Sequence, residues 1–359
     1  MQEGVYRRLA ERLYETPNGF PRTESGIEFR LLAKIFTPEE AELASEMKLH
    51  REPASTIAAR AGVPEKVAYR TLKGMLRKGQ ITVGRHDRQA VFGLLPFVVG
   101  FWEEQLPRMD LELAELFEEY FLQVKGALVD EGLPVHRVIP VEEAVSADIE
   151  ILPYESASDL LESAKAWGVR DCMCRQQQKL VGKGCDRPVE NCLVFAPVEG
   201  AFDHSDVSRA ITKEEAFRIL HQAEEDGLVH SPGNYQDGHF YICNCCTCCC
   251  GILRSVAEFS VPTAIAKSAF FAVVDGGLCA ACGDCLERCQ FDSLALSGAG
   301  GVCEVDLGRC VGCGLCVAVC PTDALHLERR SQDQVVPPPS DYKKWMDARA
   351  EARGISAPY

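Results

Sequence analysis

An α+β architecture in several modules is predicted by three observations. Helical periodicities and a hairpin pattern fill the first part of the chain, 19 cysteines crowd into the remainder from Cys172 onward, and a block near the C-terminus repeats itself. The 359 residues are 47% hydrophobic and 25% charged, which is globular composition and excludes a disordered or collagen-like chain. We divide the chain into a head (1–95), a middle domain (96–268), a cysteine-repeat domain (269–330) and a Pro-rich linker with a last helix (331–359). The N-terminus MQEGVYRRLAERLYE is charged and has no apolar core of a signal peptide, and the longest apolar run, Ala90 to Trp102, is interrupted by Gly93, Pro96 and Gly100. Reduced, metal-bound thiols, a cytoplasmic location and no membrane span are therefore expected.

In the head, Thr37-Pro38-Glu39-Glu40 combines a Thr cap, a Pro at the first helical position and a Glu that closes a capping box. A short helix, IAARAG, ends at Gly62, and the next runs through EKVAYRTLKGMLRKG. Ala68, Leu72, Met75 and Leu76 give that helix a buried face, and Lys66, Arg70, Lys73 and Arg77 form a basic stripe opposite. QITVGRHDRQAVFGL then alternates as a β-hairpin. Over residues 28–95 this order resembles a winged helix-turn-helix, the fold of many bacterial transcription regulators.

In the middle domain, Asp110 opens an amphipathic helix in which Leu113, Leu116, Phe117, Tyr120, Phe121 and Val124 share a face. Residues 132–154 carry β-branched pieces expected to form one or two short strands, and Thr212 to Glu215 starts a helix that Gly227 closes. Beyond Arg330, VVPPPS reads as a stiff linker before an amphipathic helix around Trp345.

The strongest signal is a 31-residue repeat. Cys279, Cys282, Cys285 and Cys289 recur as Cys310, Cys313, Cys316 and Cys320, Val274-Asp275 recurs as Val305-Asp306, and Leu294 and Leu296 recur as Leu325 and Leu327. Residues 270–328 resemble the bacterial two-cluster ferredoxins. The resemblance implies two [4Fe-4S] clusters, in which a curled loop supplies three thiolates and the distant fourth belongs to the other cluster. Cys279, Cys282, Cys285 and Cys320 would hold one cluster, and Cys310, Cys313, Cys316 and Cys289 the other. Pro321 follows the second run as in that family, whereas Gln290 stands at the corresponding place in the first. Cys303 aligns with Ala272, before the loop, and reads as a small strand residue.

Ten cysteines remain. Cys172, Cys174, Cys185 and Cys192 lie among Arg170, Arg175, Lys179, Lys183 and Arg187, cations that favour thiolates and an anionic cluster. Cys243, Cys245, Cys246, Cys248, Cys249 and Cys250 occupy six of eight positions. If that segment is extended, alternation puts Cys243, Cys245 and Cys249 on one side and Cys246, Cys248 and Cys250 on the other. With a fourth ligand each from the earlier group, or with one local cluster per group, these ten serve two further clusters, about four in the chain. His204, His230 and His239 lie near them, although surface or hydrogen-bonded roles are the expectation for all three. The CxCR and CNCCxCCCG segments together with the head resemble a group of ferredoxin-like iron-sulfur proteins of anaerobic bacteria, a resemblance that brings no particular reaction with it. Cys249-Cys250-Gly251 also resembles the CCG motif of heterodisulfide reductases.

No Walker, dinucleotide, serine-hydrolase or HExxH motif occurs, and no catalytic residue is assigned. The expected function is single-electron relay to or from a partner oxidoreductase or flavoprotein. The alternatives are a redox-responsive DNA-binding regulator and a reductase acting at an unusual middle-domain cluster. Charge separates these readings: residues 1–90 hold 16 basic and 12 acidic residues, against 22 and 41 beyond, so the net −15 divides into +4 and −19. The acidic body repels nucleic acid, which makes DNA the less expected partner.

Overall fold

The computed structural model describes residues 2–127, 132–146, 149–298 and 301–356, a mixture of helices and strands. They fall into two compact units. The first comprises Met1–Leu133, Gln177–Gly182 and Met346–Tyr359, and the second Pro134–Gln176 and Lys183–Trp345.

In the first unit, helices α1 (Gln2–Tyr14), α2 (Ile27–Ile35) and α3 (Pro38–Ser45) precede a small sheet. The capping box at Thr37 forms as its residues predict: the Glu40 N–H donates to Thr37 Oγ1 at 3.3 Å, and the Thr37 N–H donates to Glu40 Oε2 at 3.0 Å. Strand β1 (Glu52–Pro53) leads into α4 (Ala54–Ala61), Gly62 turns the chain at φ 66°, and α5 (Glu65–Arg77) follows. Ala68, Leu72 and Met75 of α5 are buried and Leu76 is half-buried, while Lys66, Arg70, Lys73 and Arg77 are exposed. Strands β2 (Ile81–His86) and β3 (Gln89–Leu94) pair antiparallel around Asp87 and Arg88, both at positive φ, the twist a two-residue hairpin turn needs. The sheet order is β1-β3-β2. Helix α6 (Leu111–Val124) is capped by Asp110, whose carboxylate accepts from the Leu113 N–H at 2.8 Å. Its six expected core residues are all buried, with Phe117 stacked on Trp102 at 4.0 Å between ring centres.

In the second unit, the segment 132–154 contains one short strand among its described residues, β4 (His136–Arg137); positions 147 and 148 lie outside the described residues. After α7 (Ala157–Glu162) come β5 (Ala166–Asp171), α8 (Met173–Leu180), β6 (Glu190–Ala196), β7 (Arg209–Ile211), α9 (Lys213–Glu225), β8 (Val229–Ser231) and β9 (Tyr241–Cys245). The five strands from β5 to β9 form an antiparallel sheet in the order β7-β5-β6-β9-β8. Leu160, Leu161, Leu193, Phe195, Leu220 and Ile242 pack its core against α7 and α9. Helix α10 (Gly251–Phe259) and strand β10 (Ile265–Ala266), parallel to β4, lead to the repeat.

The repeat is written into the backbone. Strand β11 (Phe270–Val274) pairs with β14 (Leu325–Arg329), and β12 (Leu294–Leu296) with β13 (Cys303–Val305); the short helix α11 (Asp284–Arg288) lies between. Asp275 and Asp306 each accept at Oδ1 from the N–H two residues on, at 2.8 Å, and each begins the loop that carries three cysteines. Their own N–H groups donate across the repeat, Asp275 to Ala324 O and Asp306 to Ser293 O, both at 2.7 Å. Positive φ also recurs at one register, at Ala281 and Gly312, Gly283 and Gly314, and Asp292 and Asp323. The Pro-rich segment near the C-terminus is held to the unit: the Gln236 and Asp237 N–H groups donate to Pro339 O and Ser340 O, both at 2.9 Å. Helix α12 (Tyr342–Ala352) begins in the second unit and ends in the first.

Candidate iron-sulfur and thiolate centres

Cys279, Cys282, Cys285 and Cys320 line one cavity, with Pro321 and Thr322 also on its wall. The loop curls because Ala281 and Gly283 accept left-handed backbone, which brings three thiols of a short run round to one point. Cys320 comes from the far end of the second run, where burial disfavours its thiolate but the N–H groups of Thr322, Leu325 and Ala324 outweigh that and pull its pKa down. Cys282 is exposed. The donor set, the curled loop and the cavity all fit a [4Fe-4S] cluster, which supplies one-electron transfer when bound.

Cys289, Cys310, Cys313 and Cys316 form a second set. The Cys313 thiol feels Cys289 and Cys310, and that of Cys316 feels all three others; burial pushes Cys313 up to about 12 as a free thiol. Such a group ionises readily only with positive charge among the sulfurs, which iron provides. Gly312 and Gly314 have no room for a side chain: a Cβ at Gly312 would meet Phe270 O at 2.1 Å, and one at Gly314 would meet Ala144 Cβ at 2.6 Å. The second loop is thus pressed into the unit, and Cys310 and Cys316 are buried.

Cys303 does more than occupy a strand. It lines the first cavity, its thiol lies 3.7 Å from Cys285 Sγ, and its N–H donates to Cys279 Sγ at 3.5 Å. Strand alternation could have found this, since Cys303 and Val305 share a face, but the repeat alignment alone compares it only with Ala272.

The ten middle-domain cysteines divide four and six. Cys185, Cys246, Cys248 and Cys249 converge, every Sγ within 4.8 Å of the others. Cys172, Cys174, Cys250, Cys245, Cys243 and Cys192 form a ring in which each thiol interacts with the next. This departs from the alternating partition. Extended backbone ends at Cys245; beyond it the chain turns, with the Cys249 and Cys250 N–H groups both donating to Cys246 O at 3.3 and 3.0 Å. That turn gathers Cys246, Cys248 and Cys249 on one side and returns Cys250 to the strand's set.

The ring sits at one end of the five-stranded sheet because three adjacent strands deliver it. Cys172 follows β5, Cys192 lies in β6 opposite Arg170, and Cys243 and Cys245 share a face of β9. Cys174 lies in the first turn of α8 and Cys250 caps α10, but hydrogen bonds among the neighbouring thiols and burial raise the pKa of both despite the helix N-termini. Hydrogen bonds from Cys243 and Cys250 bring Cys245 down to about 6.

Arg175 joins the two groups. It is fully buried, donating to Asn191 Oδ1 and Asn244 O at 2.8 Å each. Burial works against its charge, but Cys172, Cys246 and Cys245 more than offset this. Of the other cations, Arg187 reaches Cys248 Sγ at 3.7 Å. His230 contacts Asn244 Oδ1 at 2.7 Å and Glu224 Oε1 at 3.1 Å, His239 stacks on Tyr235, and His204 is exposed. Gln290, where the ferredoxins carry Pro, accepts from the Thr247 N–H at 2.8 Å and donates to Gly227 O. It links the residue after Cys289 directly to the turn of Cys246–Cys249.

No helix among the described residues is long and apolar enough to cross a membrane. Residues 303–326 match the 4Fe-4S binding domain family, Fer4, which spans the second half of the repeat. Neither the curated proteins nor the solved structures give a match. The C-terminal part of this chain therefore carries an iron-sulfur, ferredoxin-like domain.

Proposed function

We propose that the chain relays single electrons between a partner oxidoreductase or flavoprotein and a second redox partner, through [4Fe-4S] clusters on the two ferredoxin-like sets and iron-sulfur chemistry on the six-thiol ring. The observation that carries this reading is the continuity of thiol sites within the second unit. An exposed Cys282 opens the first set, Cys289 at the end of the first run faces Cys313 and Cys316 of the second, and Gln290 bonds the turn beside Arg175, whose far side meets the ring. A donor would approach at Cys282 and an acceptor near the ring. Buried arginine, backbone N–H groups on sulfur and the differing exposure of the two sets tune each potential.

The test is anaerobic purification with iron and sulfide analysis and EPR of the reduced protein. The two ferredoxin-like sets require about eight iron and eight sulfide. Cys282→Ala and Cys313→Ala should each remove about four iron and one set of EPR signals. Retention of full iron by both variants overturns the reading.

A second reading has its own support. The order β1-β3-β2, the turn at Gly62 and the exposed basic side chains of α5 suit a winged helix-turn-helix, and such a head on a redox-active body suits a regulator. The small positive charge of the head favours instead its use in docking an acidic protein surface.

A further inference from the structure

We propose that Cys185, Cys246, Cys248 and Cys249 hold a single zinc ion in tetrahedral thiolate coordination, and that this centre is not a cluster site. Distance decides it. Cys185 Sγ lies 3.9 Å from Cys246 and 3.7 Å from Cys249, and Cys249 lies 3.8 Å from Cys248. Four thiolates at zinc–sulfur bonds of about 2.3 Å stand about 3.8 Å apart along each edge of a tetrahedron. Around a [4Fe-4S] cube the cysteine sulfurs are pushed outward to roughly 6 Å from one another, because each binds a different iron corner.

The same molecule supplies the contrast. Among the described residues, these four are the group of thiol, imidazole or carboxylate ligands drawn within 4.8 Å of one another. Elsewhere among the described residues no three such ligand atoms all lie within 4.8 Å of one another, although single pairs in the ring close up, Cys192 and Cys243 to 4.0 Å. The chemistry of the surroundings agrees. Zinc with four thiolates carries two negative charges, and two guanidinium groups meet them: Arg187 at Cys248 and Arg175 at Cys246. All four positions are filled by protein, the mark of a structural zinc site. Zinc also binds such a set more tightly than ferrous iron does. The ion would pin the loop of Cys185 to the turn of Cys246–Cys249, which Gln290 already holds. It would thereby fix the separation between the second ferredoxin-like set and the ring without itself accepting an electron.

The test uses the full chain, purified anaerobically without added metal, with zinc, iron and sulfide measured together. About one zinc per chain is expected. Cys248→Ser, at an exposed position, should lose the zinc and keep its iron and sulfide, whereas Cys282→Ser should lose about four iron and keep the zinc. Zinc-edge X-ray absorption of the unaltered protein should show sulfur neighbours alone, near 2.3 Å, and no second metal. The assignment is overturned if the chain holds no zinc, if Cys248→Ser sheds about four iron with its sulfide, or if the zinc shell contains nitrogen or oxygen. Failure of the relay reading would appear separately, in the Cys282→Ser arm.

Discussion

The N–H of Cys303 meets Cys279 and its thiol meets Cys285, so it stands beside the first set of four thiols. Cys303→Ala keeps the N–H and should keep all iron, shifting at most one midpoint in an EPR-monitored titration; loss of about four iron would make the thiol a ligand after all. Glycine separates the two loops more sharply. Ala281 shows that the left-handed position tolerates a side chain where space exists, whereas Gly312 faces Phe270 O. Gly312→Ala should cost about 1–3 kcal/mol for backbone strain alone, with the clash added, and should lower the melting temperature together with the iron content. Ala281→Gly should leave iron unchanged. The two curled loops were legible because the 31-residue register persists through them, in positive φ as in cysteine spacing. The crowding of Phe270 onto Gly312 was not, since nothing local records which distant backbone will arrive there.

Elements explain where the pattern of the middle cysteines misled. A period of two holds only while a strand lasts, and β9 stops at Cys245; Thr247 then takes its partner from Gln290, 43 residues later, which no window on the segment contains. The helices of the head were more legible because caps and periodicity act within a few residues. One of their tertiary bonds predicts a pH dependence. Arg60 holds Glu52 in a two-point pair at 3.0 and 2.6 Å and lowers its pKa below the ordinary 4.5. A lowered folded value stabilises above the unfolded pKa and is lost as pH falls through the folded one. The melting temperature of the intact chain should therefore exceed that of Glu52→Gln at pH 6–7, and the gap should close as pH drops below about 4.5. A gap that stays constant with pH would remove the charged pair from the account.

At the scale of the whole molecule, charge is the property that chooses among partners. Lys66, Arg70, Lys73 and Arg77 give α5 a face that would enter a major groove, yet +4 on residues 1–90 stands against −19 beyond them. That imbalance weakens phosphate binding and its rate at long range. In a mobility-shift assay with the chain's own upstream DNA at near-physiological salt, we expect no sequence-specific complex in either redox state. A complex that Arg70→Ala abolishes and oxidation changes would move the function to regulation. The course of α8 and α12 from one unit into the other could not be read from the sequence, because each is one helix with one unbroken pattern.

The unequal housing of the two loops also sets an order of damage. Dioxygen reaches iron first where a ligand lies open, and Cys282 is open while Cys310 and Cys316 are buried. Exposed to air, the protein should bleach in two kinetic phases, the fast one belonging to the loop of Cys279–Cys285 and missing from Cys282→Ala. During the interval between them the chain would hold a half-stripped ferredoxin, its inner cluster intact but cut off from whatever delivers electrons at the surface.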